Sequence, residues 1–351
     1  MQINTRVIAI ANQKGGVGKT TTVVNLAAAL SKMRRTVLVI DLDPQANATT
    51  GLGLQPQEGV SLYPCLLGTQ QIADMIQPTP YENLNVIPSE VNLSGSEIDL
   101  AQRPDRLQVV RNVLQAIRDA NVFDYILLDC PPSLGILMTS TLAAADGILV
   151  PMQAEYYALE GLGVMQNLIE RLKANGANPA LELNGILMTM FDARTRLSAD
   201  VVEEVKSHFA DKVFETMIPR NVRTSEAPSF GQPVVFYDPS CRGAEAYRAF
   251  AKEFARRHPR SRGGVVRHAE CVLGKAGRIV VEEDDGKVAE SRRVDGRRSA
   301  AALDHRANGI PELEEGGKAP GGRKALHDLD VPAALRGYLA DAAELLGRVD
   351  L

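Results

Sequence analysis

The chain of 351 residues, 45% of them hydrophobic, can bury one large core or two modest ones. Its formal net charge of −4 at pH 7 excludes a whole-molecule basic field, so any nucleic-acid site has to be a local patch. Cys65, Cys130, Cys241 and Cys271 stand far apart without CxxC spacing, and the five histidines show no ligand spacing, which argues against a metal centre or disulfide framework.

The opening segment, MQINTRVIAIANQ, lacks the basic start and long apolar run of an export signal. Residues 6–11 read as a β-strand and 20–33 as a helix, joined by Lys14-Gly15-Gly16-Val17-Gly18-Lys19-Thr20-Thr21. Amides of a glycine-rich turn at a helix N-terminus attract an anion, and Lys19 is placed to neutralise β- and γ-phosphate charge. The Thr20 hydroxyl is placed to complete the shell of a Mg²⁺ ion. The ordinary GxxxxGK[ST] pattern needs a glycine where Gln13 stands. The segment fits KGGxGKT instead, a deviant Walker A loop with an additional lysine, Lys14. A dinucleotide fingerprint fails, because Thr21 occupies the position of its last glycine.

A second strand over 36–40 ends in Asp41-Leu42-Asp43-Pro44-Gln45. Carboxylates two apart on an extended backbone point to one side, where one can orient water or hold a Mg²⁺ hydration shell. Strands follow over 84–88, 125–129, 147–151 and 183–189, with helices over 105–120, 134–145 and 158–175. The apolar window 134–152, broken by Ser140, Thr141 and Asp146, reads as a buried helix and a strand rather than a membrane span. Continuous apolar strands alternating with helices predict an α/β, doubly wound, mostly parallel sheet covered on both faces, with ligands at the C-terminal strand ends. Tyr125-Ile-Leu-Leu-Asp129 has the Walker B form, with Asp129 reaching Mg²⁺ through water. Arg194 and Arg196, with Arg220 and Arg223, lie in two loops after strand-like segments, where they form a local phosphate-binding patch or are solvated and paired internally.

Composition shifts near residue 258. Residues 1–258 are expected to be the ATPase domain. The Gly/Arg/Ala-rich stretch 259–351 is expected to be largely disordered, with a strand over 277–281 and a short helix over 331–349 as local exceptions. A flexible extension and an out-of-frame translation both suit that composition.

The runs NQKGGVGKTT, DLDPQANAT, YILLDCPPSLG, QAEYYALEGL, TMFDART and IPRNVRTSEAPSFGQPV together resemble the ParA/Soj family of DNA-segregation ATPases, in family order from about Val7 to Arg257. The resemblance implies a P-loop ATPase with ATP and Mg²⁺ as cofactors and an ATP-dependent sandwich homodimer. It implies that Lys14 reaches the partner's nucleotide, that Lys19 and Thr20 serve phosphates and metal, and that Asp43 is needed for a slow, switch-like hydrolysis. Pro219 and Asn221 would line the adenine side, and Arg194 and Arg223, with Arg220 beside them, would bind DNA without sequence preference. A ParB/Spo0J-type partner would stimulate hydrolysis, the location would be cytoplasmic and nucleoid-associated, and no membrane would be involved. The segment before the P-loop is too short for a helix-turn-helix module, so operator-specific repression is not expected. The alternative is a MinD-like ATPase cycling on membranes, which needs a basic amphipathic C-terminal helix. Residues 331–351 instead carry Asp341, Glu344 and Asp350 against Arg336 and Arg348. A nucleotide-driven redox protein like the nitrogenase iron protein needs paired cluster cysteines that are not apparent here.

Overall fold

Six apolar runs in this chain become neighbouring parallel strands. The structure, a computed structural model, describes residues 5–155 and 158–259 and three short strands beyond them. The strands of the main sheet are β1 (Arg6–Ile10), β2 (Val37–Asp41), β3 (Gln77–Pro78), β4 (Leu84–Ile87), β5 (Tyr125–Asp129), β6 (Gly147–Gln153) and β7 (Glu182–Thr189), in the order β3-β4-β2-β5-β1-β6-β7. All pairings are parallel except β3 with β4, an antiparallel edge. The order reverses direction about the centre of the sheet, so β1, β2 and β5 end side by side at the switch point where such sheets bind ligands.

Alternation along the strands divides the core. Val7, Ala9, Ile126 and Leu128 face one layer, and Ile8, Ile10, Tyr125 and Leu127 face the other. The helices are α1 (Lys19–Lys32), α2 (Asn47–Gly51), α3 (Tyr63–Leu66), α4 (Ser96–Ala101), α5 (Val109–Ala120), α6 (Ile136–Ala144), α7 (Ala158–Ala174), α8 (Arg196–Phe209), α9 (Val222–Glu226), α10 (Val234–Tyr237) and α11 (Arg242–Arg257). Buried side chains of α5, α6, α7 and α8 join the first layer, and those of α1, α10 and α11 the second. Helix α1 sits close because Ala27, Ala28 and Ala29 add little bulk. Helix α11 puts Tyr247, Phe250 and Phe254 on one stripe, where Phe250 meets Phe214 edge-on at 4.9 Å.

Strands β8 (Glu270–Gly274), β9 (Arg278–Glu282) and β10 (Val288–Arg293) form a separate antiparallel sheet, β9 falling where the sequence predicts a strand. The chain divides into Met1–Ala300 and Ala301–Leu351. The second unit, with the helix expected over 331–349, lies outside the described residues.

Candidate functional site

The loop between β1 and α1 needs left-handed backbone at Gly16 (φ +73) and Gly18 (φ +88), which glycine adopts without strain. Nothing lies within 4 Å of where side chains at Gly15 and Gly16 would project, so the turn opens on free space with its amides available to an anion. Asn12 at its start and side chains from two other strand ends, β6 and β7, hold it. Asn12 accepts from Lys14 N–H at 3.0 Å and donates to Pro151 O at 2.8 Å. Thr189 Oγ1 donates to Val17 O at 2.7 Å, and Gln153 Nε2 donates to Gly16 O at 3.0 Å. Lys19 is buried and folds back so that Nζ donates to Lys14 O at 3.1 Å. Burial lowers its pKa, opposed by the charges of Asp129, Cys130 and Asp43. A lysine so desolvated, with a glycine loop beside it, is set up for phosphate.

Asp41 and Asp129 end neighbouring strands in register, and both are fully buried. Asp41 is engaged by Thr49, whose N–H and Oγ1 donate to Oδ2 at 2.8 and 2.7 Å, and by Asp43 N–H at 3.2 Å. Burial pushes its pKa up to about 6 in spite of those bonds. Asp129 differs: neither oxygen has a hydrogen-bond partner. Burial raises its pKa well above the usual carboxylate range, with Asp41 adding to the rise. The Thr20 hydroxyl, the closer influence in the other direction, and Lys19 oppose it. A partnerless buried carboxylate beside Thr20 and Lys19 fits a hydrated divalent cation, which takes few protein ligands and keeps its waters. Asp43 is half-buried, its Oδ1 accepting from Gln45 N–H at 3.0 Å, and its charge is felt at both Lys19 and Asp129. Strand β2 ends at Asp41, whose carboxylate is taken up by Thr49, while Asp43 stands just beyond the strand end. Among the described residues no group of three His, Cys, Asp or Glu side chains is arranged to hold a metal.

Lys14 stands at the rim, where its Nζ pairs with Glu155 Oε2 at 2.7 Å. A cavity of about 160 Å³ opens beyond Gly18 and Thr21, lined also by Thr189, Ile218, Pro219, Asn221 and Tyr247. The structure thus brings Pro219 and Asn221 to the P-loop, with Asn221 Oδ1 also capping α9 through Thr224 N–H at 3.0 Å.

The two arginine loops are neighbours. Phe191 N–H donates to Ile218 O at 2.9 Å, and Arg220 N–H donates to Phe191 O at 3.2 Å. Arg194 forks onto Asp192 at 2.9 and 2.6 Å, holding that carboxyl well below the usual range. Arg196 lies 3.7 Å from Asp200, and Arg223 lies 3.0 Å from Glu226 and 3.5 Å from Asp238. The patch is therefore an exposed array of arginines interleaved with carboxylates. Residues that sequence reasoning did not single out are Asn12, Thr49, Gln153, Glu155 and Thr189, all polar side chains engaging partners far away in the chain.

A family model described as an AAA domain matches residues 5–183. The chain is 49% identical over 249 residues to the chromosome partitioning protein ParA of Caulobacter vibrioides, covering 71% of this chain and 93% of that protein. It is 49% identical over 251 residues to the sporulation initiation inhibitor protein Soj of Bacillus subtilis, covering 71% and 98%. Among solved structures, cobyrinic acid a,c-diamide synthase from Mycobacterium smegmatis with bound ADP and magnesium is similar with a TM-score of 0.61 and 36% identity, covering 71% and 93%. The cell division ATPase MinD of Pyrococcus furiosus is similar with a TM-score of 0.59 and 28% identity, covering 72% and 98%.

Proposed function

Because the chain belongs to the ParA/Soj family of chromosome-partitioning ATPases, we propose that it is a DNA-segregation ATPase whose ATP-bound homodimer grips DNA without sequence preference and releases it on hydrolysis. The observation that carries the chemical part is the juxtaposition of an open glycine loop, buried Lys19 and the partnerless carboxylate of Asp129. ATP and Mg²⁺ fit that set. The loop amides from Gly15 to Thr21 and Lys19 hold the phosphates, with Pro219 and Asn221 beside the base. Thr20, Asp43 and Asp129 form the metal side. Mg²⁺, when bound, supplies charge neutralisation across the β- and γ-phosphates. Asp43, half-buried just beyond the end of β2, orients the attacking water. Lys14 leaves Glu155 and serves the partner subunit's nucleotide.

Arg194, Arg220 and Arg223 are the DNA contacts. Phosphates replace the carboxylates that hold Arg194 and Arg223 in the free chain, which gives an affinity that falls steeply with salt and ignores base sequence. Residues 1–258 form the working ATPase, and 259–351 are an appendage. The cell compartment is the cytoplasm, on the nucleoid. The deciding experiment is ATPase activity with and without nonspecific DNA and a ParB-type partner. Stimulation requiring both supports the reading, and indifference to both overturns it. Likeness to MinD favours a membrane-cycling ATPase as the second reading. No helix among the described residues is long and apolar enough to cross a membrane, and the C-terminal stretch such a cycle would use lies outside them.

A further inference from the structure

Two stretches flank the reacting side of the site, 42–49 after β2, which runs into α2, and the loop 130–135 after β5, and one segment of chain touches both. At its start Ser89 N–H donates to Thr49 Oγ1 at 2.9 Å, and that hydroxyl donates to Asp41 at 2.7 Å. At its end Glu97, on α4, reaches the first turn of α6. Its Oε2 accepts from Ile136 N–H at 2.7 Å and its Oε1 from Leu137 N–H at 3.3 Å. Helix α6 has no cap of its own: its N-cap residue is Gly135, and its first turn contains no acidic residue. The Glu97 carboxylate satisfies two of its orphan amides and complements its dipole. The seat admits that carboxylate only because residue 135 is glycine, since a Cβ there would lie 2.2 Å from Oε1 and 2.3 Å from Oε2.

The segment that carries Glu97 is itself anchored. Buried Glu90 accepts from Ser61 Oγ at 2.6 Å and Gly59 N–H at 2.9 Å, and Asp99 accepts from the Tyr63 hydroxyl at 2.6 Å. Leu93 and Leu100 are in the core. The loop 130–135 is exposed at Pro132 and Ser133, between buried Cys130 and Pro131 on one side and Leu134, which packs on the core, on the other. One end is fixed by β5 and the other by the capped turn of α6.

We propose that Glu97 is a positioning residue for ATP hydrolysis. By fixing the N-terminus of α6 it fixes the loop that leaves Asp129, and the segment 89–97 braces that loop to the one carrying Asp43. This inference rests on the assignment of Asp43 and Asp129 to the hydrolytic site. Glu97 touches no reacting group, because its carboxylate is occupied by α6 amides.

The test uses the full chain with Glu97→Ala, Gly135→Ala and Glu97→Gln, measuring kcat and KM for Mg-ATP, affinity for Mg-ADP, and the thermal midpoint. Gly135→Ala ejects the carboxylate while leaving Glu97 in the sequence. Displacement of positioned groups by about an ångström lowers rates by up to about a hundredfold, so kcat falls about ten- to a hundredfold in both alanine variants. Mg-ADP affinity stays within about twofold, since ground-state binding is not what the brace serves. Glu97→Gln, whose carbonyl oxygen still accepts one amide, keeps kcat within about fivefold of wild type. Unchanged kcat in both alanine variants overturns the proposal. So does parallel loss of kcat, Mg-ADP affinity and thermal midpoint without rescue by Glu97→Gln, which marks the contact as a helix cap alone. A wild-type chain without Mg-ATPase activity overturns the functional reading itself, and the inference falls with it.

Discussion

Asp129→Asn separates the chemistry of the site from its effect on stability. In the free chain Asp129 is a fully buried carboxylate without a hydrogen-bond partner, paired in register with buried Asp41. A buried charge without compensation costs about 3–5 kcal/mol, and a neutral isostere recovers part of that cost. The new amide, itself left without a partner, gives back about 1–3 kcal/mol. The expected net is a nucleotide-free variant more stable than wild type by about 1 kcal/mol, or about 1–2 °C in thermal midpoint for a chain of this size. The pH dependence identifies the cause. A carboxyl whose pKa is raised on folding holds its proton longer in the folded chain than in the unfolded one. Stability therefore falls as pH rises from the unfolded pKa, near 4, through the folded value, and is flat above it. Asp41, pushed up to about 6, contributes such a fall in both proteins, and Asp129 adds a further fall in wild type only. Denaturation by urea should thus give equal stabilities at about pH 4 and divergence by about pH 7. Ligand at a hundredfold its Kd should stabilise wild type by about 2.7 kcal/mol with Mg-ADP and the variant by much less. A variant less stable than wild type at every pH, or one that keeps the full Mg-ADP shift, refutes the assignment of Asp129 to a metal site.

Lys19→Ala should weaken Mg-ATP binding by about a hundredfold in calorimetry, because it removes the buried cation at the phosphates. Lys14→Ala should bind nucleotide normally and yet remain a monomer with ATP in light scattering. Arg194→Ala/Arg223→Ala should keep its ATPase chemistry and lose nonspecific DNA binding in a filter assay, with the salt slope reduced by about 2. Tight DNA binding by that double variant in ATP sinks the patch assignment. Phe250→Ala, which empties the contact of α11 with Phe214, should cost about 3–5 kcal/mol in urea denaturation.

The parallel strands were legible because each is a short apolar run buried on both faces, and the P-loop because its residues are contiguous. Edge strand β3 has only two residues, Gln77 and Pro78, and shows no alternation to read. Helices α2, α3, α9 and α10, of four or five residues, are too short to display a 3.6-residue period. Helix α11 did carry a signal, with aromatics at 247, 250 and 254, but lies after the strands that organised the reading. Pro219 and Asn221, which line the cavity beside Gly18 and Thr21, were picked out through a family motif rather than through spacing. The supports of the site, Thr49 to Ser89 and Glu97 to Ile136, join positions about 40 residues apart. No local pattern encodes such pairs.

The pairing of Lys14 with Glu155 bears on what drives the switch. If Lys14 is to serve a partner's nucleotide, that ion pair must break first. Both side chains are substantially exposed, at 40% and 47%, and such pairs contribute about 0–1 kcal/mol. The contact can therefore bias the free chain against association by about fivefold at most, which is too little to hold the protein monomeric until ATP arrives. The nucleotide dependence must come from the other side of the equilibrium. On that reading the γ-phosphate would give Lys14 a charge partner away from bulk water, where the same ammonium would be worth more than it is beside Glu155 at the rim. Glu155→Gln should then raise ATP-dependent dimerisation only slightly and leave the ADP state monomeric. A constitutive Glu155→Gln dimer without nucleotide would show that the rim contact, and not the phosphate, is the switch.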